Sequence, residues 1–156
     1  MARGYLKNLC DLKYNEEEKQ FALRLQETLA DKVPFETVSL VNQASVDNKG
    51  STDVSDVTWV APTGGFTTAC WVPGTPAHSW QATAAGGTSI GRKGMDLAAR
   101  VLAATAWDLF HAPETLTAAK SELQRRRAGR AYQSLLLPGQ EPPLDYRDPP
   151  RRSAGP

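Results

Sequence analysis

The chain has 156 residues, 40% of them hydrophobic and 22% charged, with a net charge of +1. That length supports one domain with a core of its own, and the balanced charge argues against nucleic acid or an anionic membrane surface as a partner. No apolar run approaches the roughly 18 residues of a membrane span, the first eleven residues lack the apolar stretch of a secretory leader, and Cys10 and Cys70 have no Cys-x-x-Cys spacing. The last of these points to reduced thiols and a cytoplasmic setting.

Tyr5, Leu6 and Leu9 allow a short helical turn in a lead-in of residues 1–14, read as the edge of a domain. Asn15 is a candidate N-cap, with Glu16, Glu17 and Glu18 where the helix dipole favours negative charge. Phe21, Ala22, Leu25 and Leu29 then recur at helical spacing, so the pattern predicts an amphipathic helix over 16–31, ended before Pro34. Val38, Leu40 and Val41 lead into a polar loop over 42–50. Residues 53–60 predict a helical turn running into a strand, broken by Pro62 and Gly64-Gly65. Phe66–Val72 is rich in β-formers and predicts a strand; Pro73-Gly74 and Pro76 force a turn; Trp80–Ala84 predicts a second extended segment, stopped by Gly86-Gly87.

The strongest periodicity predicts a helix from about Lys93 to His111, with Met95, Ala98, Leu102, Thr105, Ala106 and Leu109 on its inner face. Pro113 opens another helix that runs to about Arg127, with Gly129 as its stop. A short extended segment is expected over 131–137, and the Pro- and Arg-rich residues 144–156 are expected to be a disordered tail. Arg125, Arg126, Arg127 and Arg130 suit the negative end of the helix dipole, with phosphate binding as the alternative.

Three groups invite chemistry. His78 follows a turn stiffened by two prolines, a mount that would aim an imidazole reproducibly; it reads either as a metal ligand or as a surface or capping residue. Asp53 and Asp56 share a face if helical, and read either as a carboxylate pair or as helix capping. Gly87-Thr88-Ser89-Ile90-Gly91 matches a nucleophile-elbow pattern formally, with His111 downstream, but the short preceding segment and the helix-end position of His111 weigh against a serine triad. Cys70, in an apolar run, reads as a small buried hydrophobe.

Gly50-Ser51-Thr52-Asp53-Val54-Ser55-Asp56-Val57-Thr58-Trp59, Gly74-Thr75-Pro76-Ala77-His78-Ser79-Trp80 and Thr88-Ser89-Ile90-Gly91-Arg92-Lys93-Gly94-Met95 stand in an order that carries a resemblance. Residues 15–143 resemble the C-terminal part of the zinc-dependent aminoacylase/carboxypeptidase metallopeptidases, and within them the amidohydrolases of the aminobenzoyl-glutamate type. The resemblance implies an α/β fold, a partial catalytic domain with a short sheet packed by helices. It implies a binuclear Zn2+ or Mn2+ centre whose bound water attacks an amide carbonyl. It places His78 at the family's last metal ligand and Asp53 in a segment bordering the substrate pocket. Where the family has a further histidine this chain has Arg92, which stays protonated and cannot ligate.

The implied function is hydrolysis of a small N-acyl amino acid or dipeptide-like amide. The other ligands and the general-base glutamate belong to the family's N-terminal half, so the implied partner is that half or a complementary subunit, with a homo-oligomer as a further expectation. The second reading is an inactive truncated paralogue acting at most as a binding or structural module. On either reading the isolated chain is expected to be inactive and to expose an apolar patch on the alanine-rich helix or its neighbouring sheet.

Overall fold

A computed structural model of the chain describes residues 2–39, 52–144 and 147. The expected loop over 42–50, Gly50 and Ser51 of the first motif, and the tail apart from residues 144 and 147 lie outside the described residues. The helices are α1 (Ala2–Leu9), α2 (Glu16–Glu27), α3 (Val54–Val60), α4 (Trp80–Gly86), α5 (Ser89–His111) and α6 (Pro113–Arg127), with a 3-10 helix at Phe35–Ser39.

Local chemistry fixes most of the helix ends. The Asn15 side chain accepts from the Glu18 N–H while the Glu18 carboxylate accepts from the Asn15 N–H, at 2.9 and 2.7 Å. This reciprocal capping box satisfies two amides at the open end of α2. Thr88 caps α5 through its side chain, which accepts from Ile90 N. Pro113 sits in the first turn of α6, and the helix ends at Ala128 and Gly129, both at positive φ.

The expected α/β fold is not what forms: among the described residues there is no strand and no sheet. Phe66–Val72 has the composition of a strand but no neighbouring strand among the described residues to pair with, and part of it lies across α5. A Cβ on Gly94 would collide with the Ala69 carbonyl and the Cys70 sulfur, so only glycine lets the two backbones approach there. Trp80–Ala84, expected to be extended, is helical. Ser79 caps it by accepting from Ala82 N, and Gln81 to Ala85 carries three alanines. Gly86-Gly87, expected to stop a strand, marks the end of that helix. Residues 54–60 are helical throughout, and 131–137 form no regular element.

The buried core is small. Ala22 and Leu25 of α2, Phe35, Val72, Ala85 of α4 and Ile90 of α5 form its centre, with Tyr14, Phe21, Ala69 and Ala84 packed around it. A fully buried aliphatic side chain contributes about 1.5–3 kcal/mol. Leu97 and Val101 extend the buried stripe along α5. The inner face of α5 is therefore the one through Ile90, Gly94, Leu97 and Val101, not the predicted one; Met95 and Leu102 are 63% and 59% exposed.

α1 packs along α5, tied by the Tyr5 hydroxyl donating to Asp108 at 2.7 Å and by Arg100 pairing with Asp11 at 2.8 Å. α2 is tied to α5 by Glu18, which is 5% exposed. Its carboxylate accepts from Ser89 Oγ at 2.5 Å and from Lys93 Nζ at 2.6 Å. None of the helices among the described residues is long and apolar enough to cross a membrane.

Candidate functional site

The turn before α4 holds His78. Gly74, at φ +86, starts it; a Cβ there would collide with the Asp31 carbonyl beyond α2, so the turn is pressed against the end of that helix. Thr75 N bonds to Val72 O at 3.1 Å and closes the bend. Ser79 then locks the far side, donating its hydroxyl to Pro76 O at 2.7 Å while its oxygen caps α4. His78 is caught between the two locks with φ +58, a left-handed conformation uncommon for a residue with a side chain. Holding it there stores roughly 1 kcal/mol, a strain that concentrates at functional positions.

The imidazole is exposed and lines an open groove of about 510 Å³ with Trp71, Ser79, Trp80, Ala82 and Thr83. Trp71 and Trp80 are 40% and 61% exposed, so two indoles flank the histidine with apolar surface turned to solvent. The sequence held a partial signal for this pair, since Trp80 stands two residues after His78. Trp71 lies on the other side of the turn, and only the folded bend brings it to the groove. The Thr75 hydroxyl, in the same turn, is buried without a hydrogen-bond partner among the described residues.

Asp53 is not brought to this groove. It occupies the N-cap position of α3 with helical backbone angles, its side chain makes no capping bond, and both Asp53 and Asp56 are exposed. Thr52 Oγ1 instead accepts from Val54 N at 3.3 Å. Arg92 is exposed and lines a separate groove with Asp11, Lys93 and Arg100. Ser89 and His111 sit at opposite ends of α5, about 33 Å apart at the helical rise, which rules out a triad between them. Ser89 is engaged with Glu18, and His111 stacks on Trp107 with its Nδ1 2.8 Å from the Trp107 carbonyl.

The implied metal pair can be tested against these positions. A catalytic zinc takes about three protein ligands. Among the described residues no three His, Cys, Asp or Glu side chains converge in a way that would hold an ion. His78 offers one donor, so the described residues do not form a metal centre by themselves.

Over 99 residues the chain is 46% identical to a p-aminobenzoyl-glutamate hydrolase subunit of Escherichia coli (strain K12). This chain is similar to a hydrolase subunit. The match takes in 61% of the chain but only 19% of the relative, so the chain spans about a fifth of the length of the protein it matches. The resemblance carried by the three motifs is borne out by this relative. No family model matches the chain. No solved structure matches it.

Proposed function

We propose that the chain is a segment of a metal-dependent amidohydrolase acting on an aminobenzoyl-glutamate-type amide, and that His78 is its contribution to the centre. The 46% identity to the hydrolase subunit carries this reading. The exposed imidazole, held at positive φ beside two open indoles, supports it. With the ion bound, His78 would serve as one of its donors, and the chemistry supplied there would be polarisation of the amide carbonyl and acidification of bound water. The remaining donors come from polypeptide outside the described residues, either a longer form of the chain or a complementary subunit. Trp71 and Trp80 offer the flat apolar surface that would receive an aromatic substrate. Asp53, exposed at the start of α3, is assigned to the rim of the assembled pocket.

By itself the chain is expected not to hydrolyse the amide, because one donor does not hold an ion. The test replaces the matching 99 residues of the E. coli protein with those of this chain and follows release of p-aminobenzoate from p-aminobenzoyl-glutamate. The chimera is expected to bind zinc or manganese and turn over, and His78→Ala is expected to lower both metal content and turnover by at least about tenfold. A folded, active chimera indifferent to His78→Ala would remove the ligand assignment. A folded chimera with no metal and no activity would favour the inactive module.

A further inference from the structure

A second groove, of about 540 Å³, opens between α3 and α6 and shares no lining residue with the His78 groove. Trp59 and Pro62 form one wall; Leu123 and the end of α6 form the other. Three guanidiniums, from Arg126, Arg127 and Arg130, stand against one carboxylate, that of Glu122.

The pairing of these charges is uneven. Glu122 accepts two bonds from Arg125, at 2.7 and 2.8 Å, and one from Arg126 at 2.6 Å. Among the described residues the hydrogen-bond partners of Arg127 and Arg130 are carbonyls: each Nε donates to the other's backbone oxygen at 3.2 Å, and Arg130 Nη2 reaches Arg126 O at 3.5 Å. Among the described residues no carboxylate pairs with either. The left-handed residues Ala128 and Gly129, at φ +50 and +76, turn the chain back so that the Arg130 guanidinium lies 5.5 Å from the centroid of the Trp59 ring. Complementing the helix dipole accounts for positive charge at this end. It does not account for two cations that have no acidic partner among the described residues and line a groove shared with an indole.

We propose that this groove binds a small organic anion with a flat apolar body. The forked donors of Arg127 and Arg130 suit a carboxylate or a phosphate, and Trp59 with Leu123 suits the body. The site is independent of the hydrolase reading.

The full-length chain, labelled with nitrogen-15, would be titrated with 2-naphthoate and with 2-naphthyl phosphate while its tryptophan indole N–H signals are followed. Trp59→Phe identifies the Trp59 signal among the four tryptophans. Saturable shifts centred on Trp59 are expected for at least one probe, and the tighter of the two identifies the anion. Arg127→Gln and Arg130→Gln are each expected to weaken binding by about tenfold, and His78→Ala to leave it unchanged. Affinity for the parent chain is also expected to fall with added salt, a readout that stands even if an arginine variant fails to fold. The proposal is overturned by no saturation up to millimolar probe, by equal binding of the uncharged 2-naphthamide, by salt-independent binding, or by shifts centred on Trp71 and Trp80. Inorganic phosphate binding as tightly as the naphthyl probes would overturn the role given to the apolar body.

Discussion

Tyr14 buries a hydroxyl that has no hydrogen-bond partner among the described residues, while its ring packs edge-on against Phe35 at 4.8 Å. Burial, and then the nearby Glu18 charge, push its phenol up to about 12. An unsatisfied buried polar group is destabilising, so Tyr14→Phe, which keeps the ring, is expected to stabilise the chain by about 1 kcal/mol in urea unfolding; a comparable loss would show that the hydroxyl has a partner. At the same scale, His78 and Asp53 show what the sequence could convey. The prolines and glycine around His78 announced a braced turn, and the turn is there. The left-handed φ accompanies the Thr75–Val72 backbone bond on one side and two hydrogen bonds of Ser79 on the other; the hydroxyl of Ser79 was visible in the sequence but its dual engagement was not. Asp53 has the residue type of a cap. Capping requires an extended backbone at that position, and Asp53 already has helical angles, φ −76 and ψ −9.

Between elements, one carboxylate joins α2 to α5. Burial of Glu18 opposes its charge, but hydrogen bonds from Lys93, Ser89 and the Asn15 amide outweigh burial and hold its pKa below the usual value. A carboxyl more acidic in the folded chain than in the unfolded one stabilises the fold fully above the unfolded value. That stabilisation is lost as pH falls through the folded value. Glu18→Gln is therefore expected to cost about 2 kcal/mol near neutral pH and to flatten the acid limb of the stability curve, measured by denaturant unfolding across pH 3–7. An unchanged acid limb would show that the tie is not what acid breaks. The sequence revealed Glu18 only as a first-turn acid, because its bond to Lys93 joins residues 75 apart. Non-local pairing also explains the misread strand. Residues 66–72 have β-forming side chains, but a ladder needs a neighbouring strand, and what part of this segment meets is the helix backbone at Gly94. By contrast, α2 and α6 were legible because their start signals, the Asn15 cap and Pro113 in the first turn, act within a turn or two of chain.

At the scale of the fold, more of the large hydrophobic side chains among the described residues are exposed than buried. Met95, Ala99, Leu102, Ala106 and Phe110 follow one another at helical steps on the outer side of α5, and Phe110 is 86% exposed. The expected apolar patch on the alanine-rich helix is therefore present, on the face that the periodicity assigns to the interior. The chain is expected to self-associate as concentration rises in sedimentation velocity, and Leu102→Lys with Phe110→Lys to shift it toward monomer. A parent chain that stays monomeric at high concentration would contradict this. The same helix is uneven along its length. Gly91 and Gly94 in its early turns each lower intrinsic helicity by about 1 kcal/mol relative to alanine, whereas the stretch from Leu97 to Thr105 contains four alanines and no glycine. The later turns can thus coil on local preference. The opening turns instead lean on their surroundings: Gly91 lies against the backbone of Gly86 at the end of α4, and Gly94 against the chain at Ala69 and Cys70, so the same two glycines that weaken the helix are what let its first turns seat.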